Sequence, residues 1–224
     1  MRRGGANGEK KKFEIFVSDF HETVSFYKDT LQFKRLALTD TLATFQVGES
    51  ILTLHQDEVN RYYYHFAFNI HSNIFAQAKE WLKKKVDLLE EDGDDEVYFA
   101  NAKARSVYFE DPAGNIVEFI SRLETSPETT SKEFTPDNVI GISEIGLSTN
   151  HVKECFDYLL KLGIRQRNDE PFSKNHLHFM GEYKEGVYIL LGPVGRRWIF
   201  SDKYSIDAPL MMETDRGIIK NFDE

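Results

Sequence analysis

One segment in the middle of the chain, residues 105–119, constrains the fold more than any other. Its sequence is Arg-Ser-Val-Tyr-Phe-Glu-Asp-Pro-Ala-Gly-Asn-Ile-Val-Glu-Phe. Val107 and Phe109 alternate with polar neighbours, which is typical of a half-buried strand. The four residues from Asp111 to Gly114 favour a tight turn, because proline fixes one φ and glycine tolerates a positive φ. The segment therefore predicts a strand, a turn and a second strand.

Glu118 lies among apolar residues in the second of these strands. A carboxylate in such a place is costly unless it faces water, forms an ion pair or binds a metal. Upstream, residues 62–70 predict another aromatic strand with His65 near its start, and helical periodicity follows from Ile74 to Lys85. Imidazole and carboxylate together suit a divalent first-row ion such as Mn, Fe, Ni or Zn. We therefore predict His65 and Glu118 as metal ligands, and Glu118 also as a catalytic base.

The order of strand, helix and strands occurs twice in the first half of the chain, which indicates an internal repeat. After this repeat, a stretch rich in Thr, Ser, Glu and Pro predicts a linker, and a third unit of similar order follows. The predicted divisions are a disordered lead-in at 1–11, a domain at 12–124 made of modules 12–60 and 61–124, a linker at 125–138, a third module at 139–200 and a C-terminal tail at 201–224.

These motifs resemble the vicinal oxygen chelate superfamily, which includes glyoxalase I, extradiol dioxygenases and the fosfomycin- and bleomycin-resistance proteins. The sequence from Tyr108 to Phe119 resembles that family's last strand-turn-strand, whose Glu is a metal ligand, and the strand from His65 to Ile70 resembles the one that supplies a His ligand. Local similarity extends to the fosfomycin thiol transferases, through Phe-Tyr-Lys-Asp at 26–29. The resemblance implies an α+β fold in which paired βαβββ modules form a curved mixed sheet around an enclosed cleft, with a third βαβββ-like module.

The first module departs from the family pattern at both of its ligand positions. Ungapped alignment places Lys12 where most relatives have His, and Thr53 where glyoxalases have Glu. An ammonium group has no lone pair to give a metal. By period-two alternation Glu14 and His55 share the faces of those two positions, so Glu14 is a candidate third ligand and His55 a candidate substrate-binding residue.

Other residues are open to more than one interpretation. Lys12 is a candidate substrate-binding residue, or alternatively an internal cation that pairs with Glu118 and replaces the metal. The hydroxyl of Tyr108 is a further candidate for substrate binding. Glu144 of the third module lies near a ligand-equivalent position, but the last strand of that module offers no matching His or Glu, so the module is interpreted as structural.

Composition excludes several other classes of function. The net charge of −9 and the pI of about 5.3 argue against general nucleic-acid binding, which needs a basic surface. One cysteine, Cys155 on the apolar side of a predicted helix, excludes an intrachain disulfide framework. No apolar run is long enough to span a membrane, and we expect a cytoplasmic protein. Since such modules work in pairs, we also expect the third one to pair with its copy in a homodimer or to pack on the first two.

Two functions remain open from the sequence. The first is a divalent-metal-dependent enzyme acting on a small substrate with vicinal oxygens, as an isomerase, lyase, ring-cleaving dioxygenase or thiol transferase. The second is a metal-free binding protein that sequesters a small ligand, as the resemblance to bleomycin-resistance proteins implies. The direction in which Lys12 points, toward Glu118 or away from it, distinguishes the two.

Overall fold

The computed structural model describes residues 12–221, so the lead-in expected at 1–11 lies outside the described residues. The first module comprises β1 (Lys12–Val17), α1 (Phe20–Ser25) with a π-helical turn (Phe26–Thr30), β2 (Lys34–Leu38), β3 (Leu42–Val47) and β4 (Ser50–Gln56). The second comprises β5 (His65–Ile70), α2 (Phe75–Lys83), β6 (Val97–Phe99), β7 (Ala104–Glu110) and β8 (Ile116–Arg122). The third comprises β9 (Val139–Thr149), α3 (Val152–Lys161), β10 (His178–Met180) and β11 (Tyr188–Pro193). A hairpin of β12 (Leu210–Thr214) and β13 (Gly217–Lys220) follows.

Each module closes in the same way, by parallel pairing of its first strand with its last. The parallel pairs are β1 with β4, β5 with β8, and β9 with β11. A helix connects the first strand to the rest of the module, which is the kind of crossover that parallel pairing requires. Hairpin-connected strands are antiparallel, so the sheets are mixed and the expected α+β class is confirmed.

The modules are distributed over two sheets, and their pairing differs from the side-by-side pair of first and second modules that the sequence led us to expect. The first sheet has the order β13-β12-β1-β4-β3-β2, and the second has the order β10-β11-β9-β5-β8-β7-β6. Antiparallel pairing of β5 with β9 joins the second module to the third. The first and second modules, which we expected to lie side by side, are therefore in different sheets, and the third module finds its partner within the chain.

The C-terminal hairpin supplies the partner strand of the first module. Strand β12 pairs antiparallel with β1, and Ile15 lies opposite Leu210. The sequence analysis identified no strand after residue 200, since two strands of five and four residues carry little periodic signal. A local signal exists in Gly217, whose φ of +119° is a conformation that glycine adopts readily at a turn.

The two sheets share one core, in which aromatic side chains from the first and second modules meet. Phe13 and Phe66 contact edge to face with their ring centroids 5.6 Å apart, and Phe33 and Phe68 do so at 5.3 Å. All four rings are buried, and each contributes about 1.5–3 kcal/mol through removal from water. Within the described range, no helix is long and apolar enough to cross a membrane.

Candidate metal centre and cavity

The turn before β8 fixes the register that brings His65 to Glu118. The Oδ1 atom of Asp111 accepts hydrogen bonds from the backbone N–H groups of Ala113 and Asn115, both at 3.0 Å. The side-chain carbonyl of Asn115 in turn accepts the N–H of Tyr64 at 2.8 Å. The start of β5 is thereby attached to the start of β8, and the predicted turn chemistry acts directly on the site.

Three strands of the second sheet place one ligand-type side chain each on the same face. His65 lies opposite Ile116 and Ala67 opposite Glu118, so His65 and Glu118 share a face by period-two alternation. Ala67 also lies opposite Glu144 of β9, which puts Glu144 beside them. The donor atoms of His65, Glu118 and Glu144 all lie within 4.8 Å of one another, and all three residues are buried.

The charge states of these groups reflect their burial. Desolvation, and next the charge of Glu144, raise the pKa of Glu118 to about 8. Desolvation lowers the pKa of His65 to about 4, against the effect of its hydrogen bond to Ile116. The Nδ1 atom of His65 lies 3.1 Å from that carbonyl oxygen and donates to it, which leaves the lone pair on Nε2, 3.5 Å from Oε2 of Glu118.

The donor set fits a divalent cation. In the part of the chain that the structure describes, Oε1 of Glu118 is buried and has no hydrogen-bond partner. Buried acceptors of this kind are rare in native proteins and require a compensating group. A neutral imidazole with a free Nε2 lone pair and two carboxylates suit Mn, Fe, Ni or Zn, and the cation would return Glu118 to its charged form.

Arg122, at the end of β8, orients the third carboxylate. Its Nη2 atom forms a close ion pair with Oε1 of Glu144, and Nη1 donates to Oγ of Ser143 at 3.2 Å and lies 3.5 Å from Oδ1 of Asn69. This ion pair is buried, with side-chain exposures of 5% and 9%. The second oxygen of Glu144 is not engaged by Arg122, so the carboxylate can be held by arginine and still serve as a ligand.

The three residues line a cavity of about 310 Å³, which is within the range of small-molecule sites. The segment between β11 and β12 forms part of its wall. The ring of Trp198 lies 4.8 Å from that of His65, centroid to centroid, and Phe200 stacks on Tyr108 at 4.8 Å. A Cβ atom on Gly146 would lie 3.0 Å from the Trp198 ring, so glycine permits this close approach.

The sequence-based site residues divide between the two sheets. His65, Glu118 and Tyr108 line the cavity together. Lys12, Glu14 and His55 do not line it; they form their own cluster on the first sheet. Both Lys12 Nζ and His55 Nε2 lie 2.5 Å from carboxylate oxygens of Glu14.

The interpretation of Lys12 as an internal cation for Glu118 is therefore wrong, because Lys12 pairs with Glu14. Because Glu14 and His55 lie on the first sheet, Glu14 is not the third ligand of the centre that contains His65. For the same reason His55 does not contact a substrate bound at that centre. The cause is the pairing of the second module with the third.

Sequence reasoning missed Glu144 as a ligand, and it also missed Arg122 and Trp198. Glu144 carried a signal, because it lies near the ligand-equivalent position of its module. Its significance depends on the pairing of β5 with β9, which no local pattern gives. The roles of Arg122 and Trp198 at this site arise from contacts across 22 and 133 residues of sequence, to Glu144 and His65 respectively.

Comparison with known proteins separates the chain into two parts. Residues 11–119 match the model of the glyoxalase/bleomycin resistance protein/dioxygenase superfamily, and residues 142–196 match that of the toxoflavin-degrading enzyme. Metallothiol transferase FosB of Staphylococcus epidermidis is 32% identical over 109 residues, which are 46% of this chain and 73% of that protein. FosB of Staphylococcus saprophyticus is 33% identical over 109 residues, 46% of this chain and 69% of that protein.

Among solved structures, an integron cassette protein from the Halifax Harbour sewage outfall metagenome aligns with a TM-score of 0.45 and 22% identity. The alignment covers 52% of this chain and 99% of that one.

Proposed function

Since the chain belongs to the glyoxalase/bleomycin resistance protein/dioxygenase superfamily, we propose that it is an enzyme that holds a divalent metal ion between His65, Glu118 and Glu144. Its substrate is a small molecule with vicinal oxygens that enters the cavity beside them. One observation carries the proposal: the donor atoms of an imidazole and two carboxylates, all buried, lie within 4.8 Å of one another in the cavity wall. Clusters of this composition mark functional sites, because the cost of burying them needs a compensating gain.

The residues of the site have separate roles in this proposal. A bound divalent ion supplies Lewis acidity toward oxygen atoms of a substrate. The carbonyl of Ile116 holds the His65 ring in the tautomer whose Nε2 can bind a metal. Glu118, with one oxygen free of hydrogen bonds, is placed to take up a proton from a substrate atom in the cavity. The rings of Trp198 and Tyr108, which both pack against the His65 ring, restrict the access of water to the three ligands.

The reaction type stays open among isomerisation, elimination, ring cleavage and thiol transfer. The curated relatives are named metallothiol transferases, which favours thiol transfer to a small electrophile. The superfamily match ends at residue 119, however, before Glu144, and the third module resembles a different family. Because the proposed site combines the second and third modules, the substrate of the relatives does not identify the substrate of this chain.

Elemental analysis of protein purified without chelator or affinity metal tests the proposal. We expect near-stoichiometric Mn, Fe, Ni or Zn in the wild type, and loss of the metal in His65→Ala and Glu118→Ala. The matched controls are Glu14→Ala and His55→Ala, since the chain offers a second glutamate–histidine pair on the other sheet. These controls should keep the metal.

An absence of metal, even after incubation with these ions, would contradict the enzyme proposal. It would favour the metal-free binding protein, in which Arg122 alone compensates the buried carboxylates.

We still predict a homodimer, but the argument for it is now the open edge of the first sheet and not the third module. The third module no longer requires a second chain, because β9 pairs with β5. Strand β2 forms an open edge of the first sheet, where Leu36 and Leu38 are 46% and 48% exposed. Edges of this kind pair readily with another chain. Light scattering that gives the mass of a dimer supports the prediction, and the mass of one 26.0 kDa chain removes it.

A further inference from the structure

Two arginines project into the cavity without a carboxylate partner. Arg167 and Arg196 both line it, and neither forms an ion pair within residues 12–221. Their neighbours in sequence behave differently, because Arg165 pairs with Asp169 and Arg197 pairs with Glu91. Both unpaired side chains are only partly exposed. Cations that are partly removed from water are stabilised by an anionic partner, so these two side chains favour an anionic ligand.

The surroundings of Arg167 suit a flat ligand. Its guanidinium lies 4.1 Å from the centroid of the Phe179 ring and 5.6 Å from that of Tyr188. The planar group is thus held against aromatic faces, and the donors that do not contact the Tyr188 hydroxyl can reach another molecule in the cavity. Trp198 and Tyr108 also line the cavity and add aromatic surface next to His65.

The charge balance of the cavity is opposite to that of the whole chain. The chain carries a net charge of −9, whereas the cavity is lined by Arg122, Arg167 and Arg196 against Glu118 and Glu144. With a divalent cation bound, the positive excess is larger still. Anions are therefore concentrated in the cavity although the protein as a whole repels them.

We propose that the substrate is a small aromatic anion, whose carboxylate, phosphonate or similar group is bound by Arg167 and Arg196 while its ring lies against the aromatic wall. This inference rests on the proposed function, since it specifies the substrate class of the same cavity. Anion binding does not depend on the metal, however, because the two arginines bind the anion without help from the metal ligands. Arginine presents N–H donors in a fork that matches the geometry of such oxyanions.

Fluorine NMR with matched probes tests this inference on the full chain. The probes are 4-fluorobenzoate, 4-fluorophenylphosphonate, neutral 4-fluorobenzamide and ring-free fluoroacetate, each titrated with the protein first in EDTA and then saturated with Mn²⁺. We expect at least one of the two aromatic anions to bind in EDTA, and the amide and fluoroacetate to bind about tenfold more weakly or less. Equal affinity for the amide would overturn the anion site, and equal affinity for fluoroacetate would overturn the aromatic part. Failure of both aromatic anions to bind would also overturn the inference.

Variants separate this inference from the proposed function. Arg167→Met and Arg196→Met should each weaken the bound anion about tenfold or more while leaving the metal content unchanged. The matched control is Arg165→Met, two residues from Arg167, whose side chain is 68% exposed and paired with Asp169. It should bind the anion as the wild type does. Unchanged affinity in both cavity variants would refute the inference even if metal is bound, whereas a metal-free protein with arginine-dependent anion binding would refute only the metal proposal.

Discussion

The first and second sheets each carry a glutamate beside a histidine, but in opposite electrostatic surroundings. On the first sheet, Glu14 lies 2.5 Å from both Lys12 Nζ and His55 Nε2. Burial acts to raise the pKa of Glu14, but the hydrogen bonds and charges of Lys12 and His55 bring it below its ordinary value. On the second sheet, Glu118 has a raised pKa of about 8, and the described residues place no lysine or arginine in an ion pair with it.

The same module architecture therefore supports either a self-compensated ion cluster, as at Glu14, or a candidate metal site, as at Glu118. On the first sheet the ammonium group of Lys12 already neutralises the Glu14 carboxylate, so a metal ion is not needed there. Around Glu118 and His65 the only buried cation in an ion pair, within the described range, is Arg122, and it is engaged by Glu144. Arg122 thus compensates Glu144 alone, and the charged form of Glu118, whose pKa is raised to about 8, gains a close counter-charge only from a bound cation.

Removal of the internal cation on each sheet should produce the largest difference in stability. Arg122→Met leaves Glu144 buried without its partner, and we expect a loss of about 3–5 kcal/mol in the free energy of unfolding. Lys12→Met removes a cation whose side chain is 33% exposed, and the expected loss is below about 1 kcal/mol. Urea denaturation of the metal-free proteins measures both values. Similar losses in the two variants would contradict the distinction between the sheets.

The pH dependence of stability should have opposite signs for the two glutamates. Because the folded-state pKa of Glu118 is about 8 and its unfolded-state value is near 4.5, the folded protein binds more protons between these values. The contribution of Glu118 to the stability of metal-free protein is therefore present at low pH and falls by about 3 kcal/mol from pH 5 to pH 8. Glu118→Gln should flatten this fall.

Glu14 titrates in the other direction. Since its folded-state pKa is lowered, it stabilises the protein above its unfolded-state pKa, and this contribution is lost as the pH falls through the folded-state value. Glu14→Gln should therefore be destabilising at pH 7 and close to neutral in strongly acidic solution. The same sign of pH dependence for both variants, measured by denaturation at a series of pH values, would show that the two environments are not opposed.

A smaller effect is expected on the second sheet from a change at Gly146. The added Cβ of Gly146→Ala would meet the Trp198 ring at 3.0 Å and the backbone oxygen of His65 at 3.2 Å. We expect the ring to shift, at a cost of about 1–3 kcal/mol, and the Trp198 fluorescence to change. The chain has one other tryptophan, so the measurement is made in a Trp81→Phe background. An unchanged emission spectrum would mean that Trp198 does not pack against the site.

The sequence identified two residues of the site, His65 and Glu118, but not the module that completes it. The turn at Asp111 and the superfamily resemblance are confirmed, because each depends on a local pattern or on a long motif. His65 and Glu118 come together as expected, since parallel pairing within one module sets their register. The partner module was not predictable, because β5 can pair through its free edge with either neighbouring unit, and neither choice changes the local hydrophobic pattern.

A metal titration that compares one glutamate from each sheet tests whether the third module supplies a metal ligand. Chelator-treated protein is titrated with Mn²⁺ by calorimetry in the wild type, Glu144→Gln and Glu14→Gln, with each fold verified by circular dichroism. We expect about one ion per chain in the wild type and in Glu14→Gln, and a loss of about tenfold or more in affinity in Glu144→Gln, because the third module supplies a ligand. Wild-type affinity in Glu144→Gln together with loss in Glu14→Gln would contradict the account and return the metal to the first and second modules.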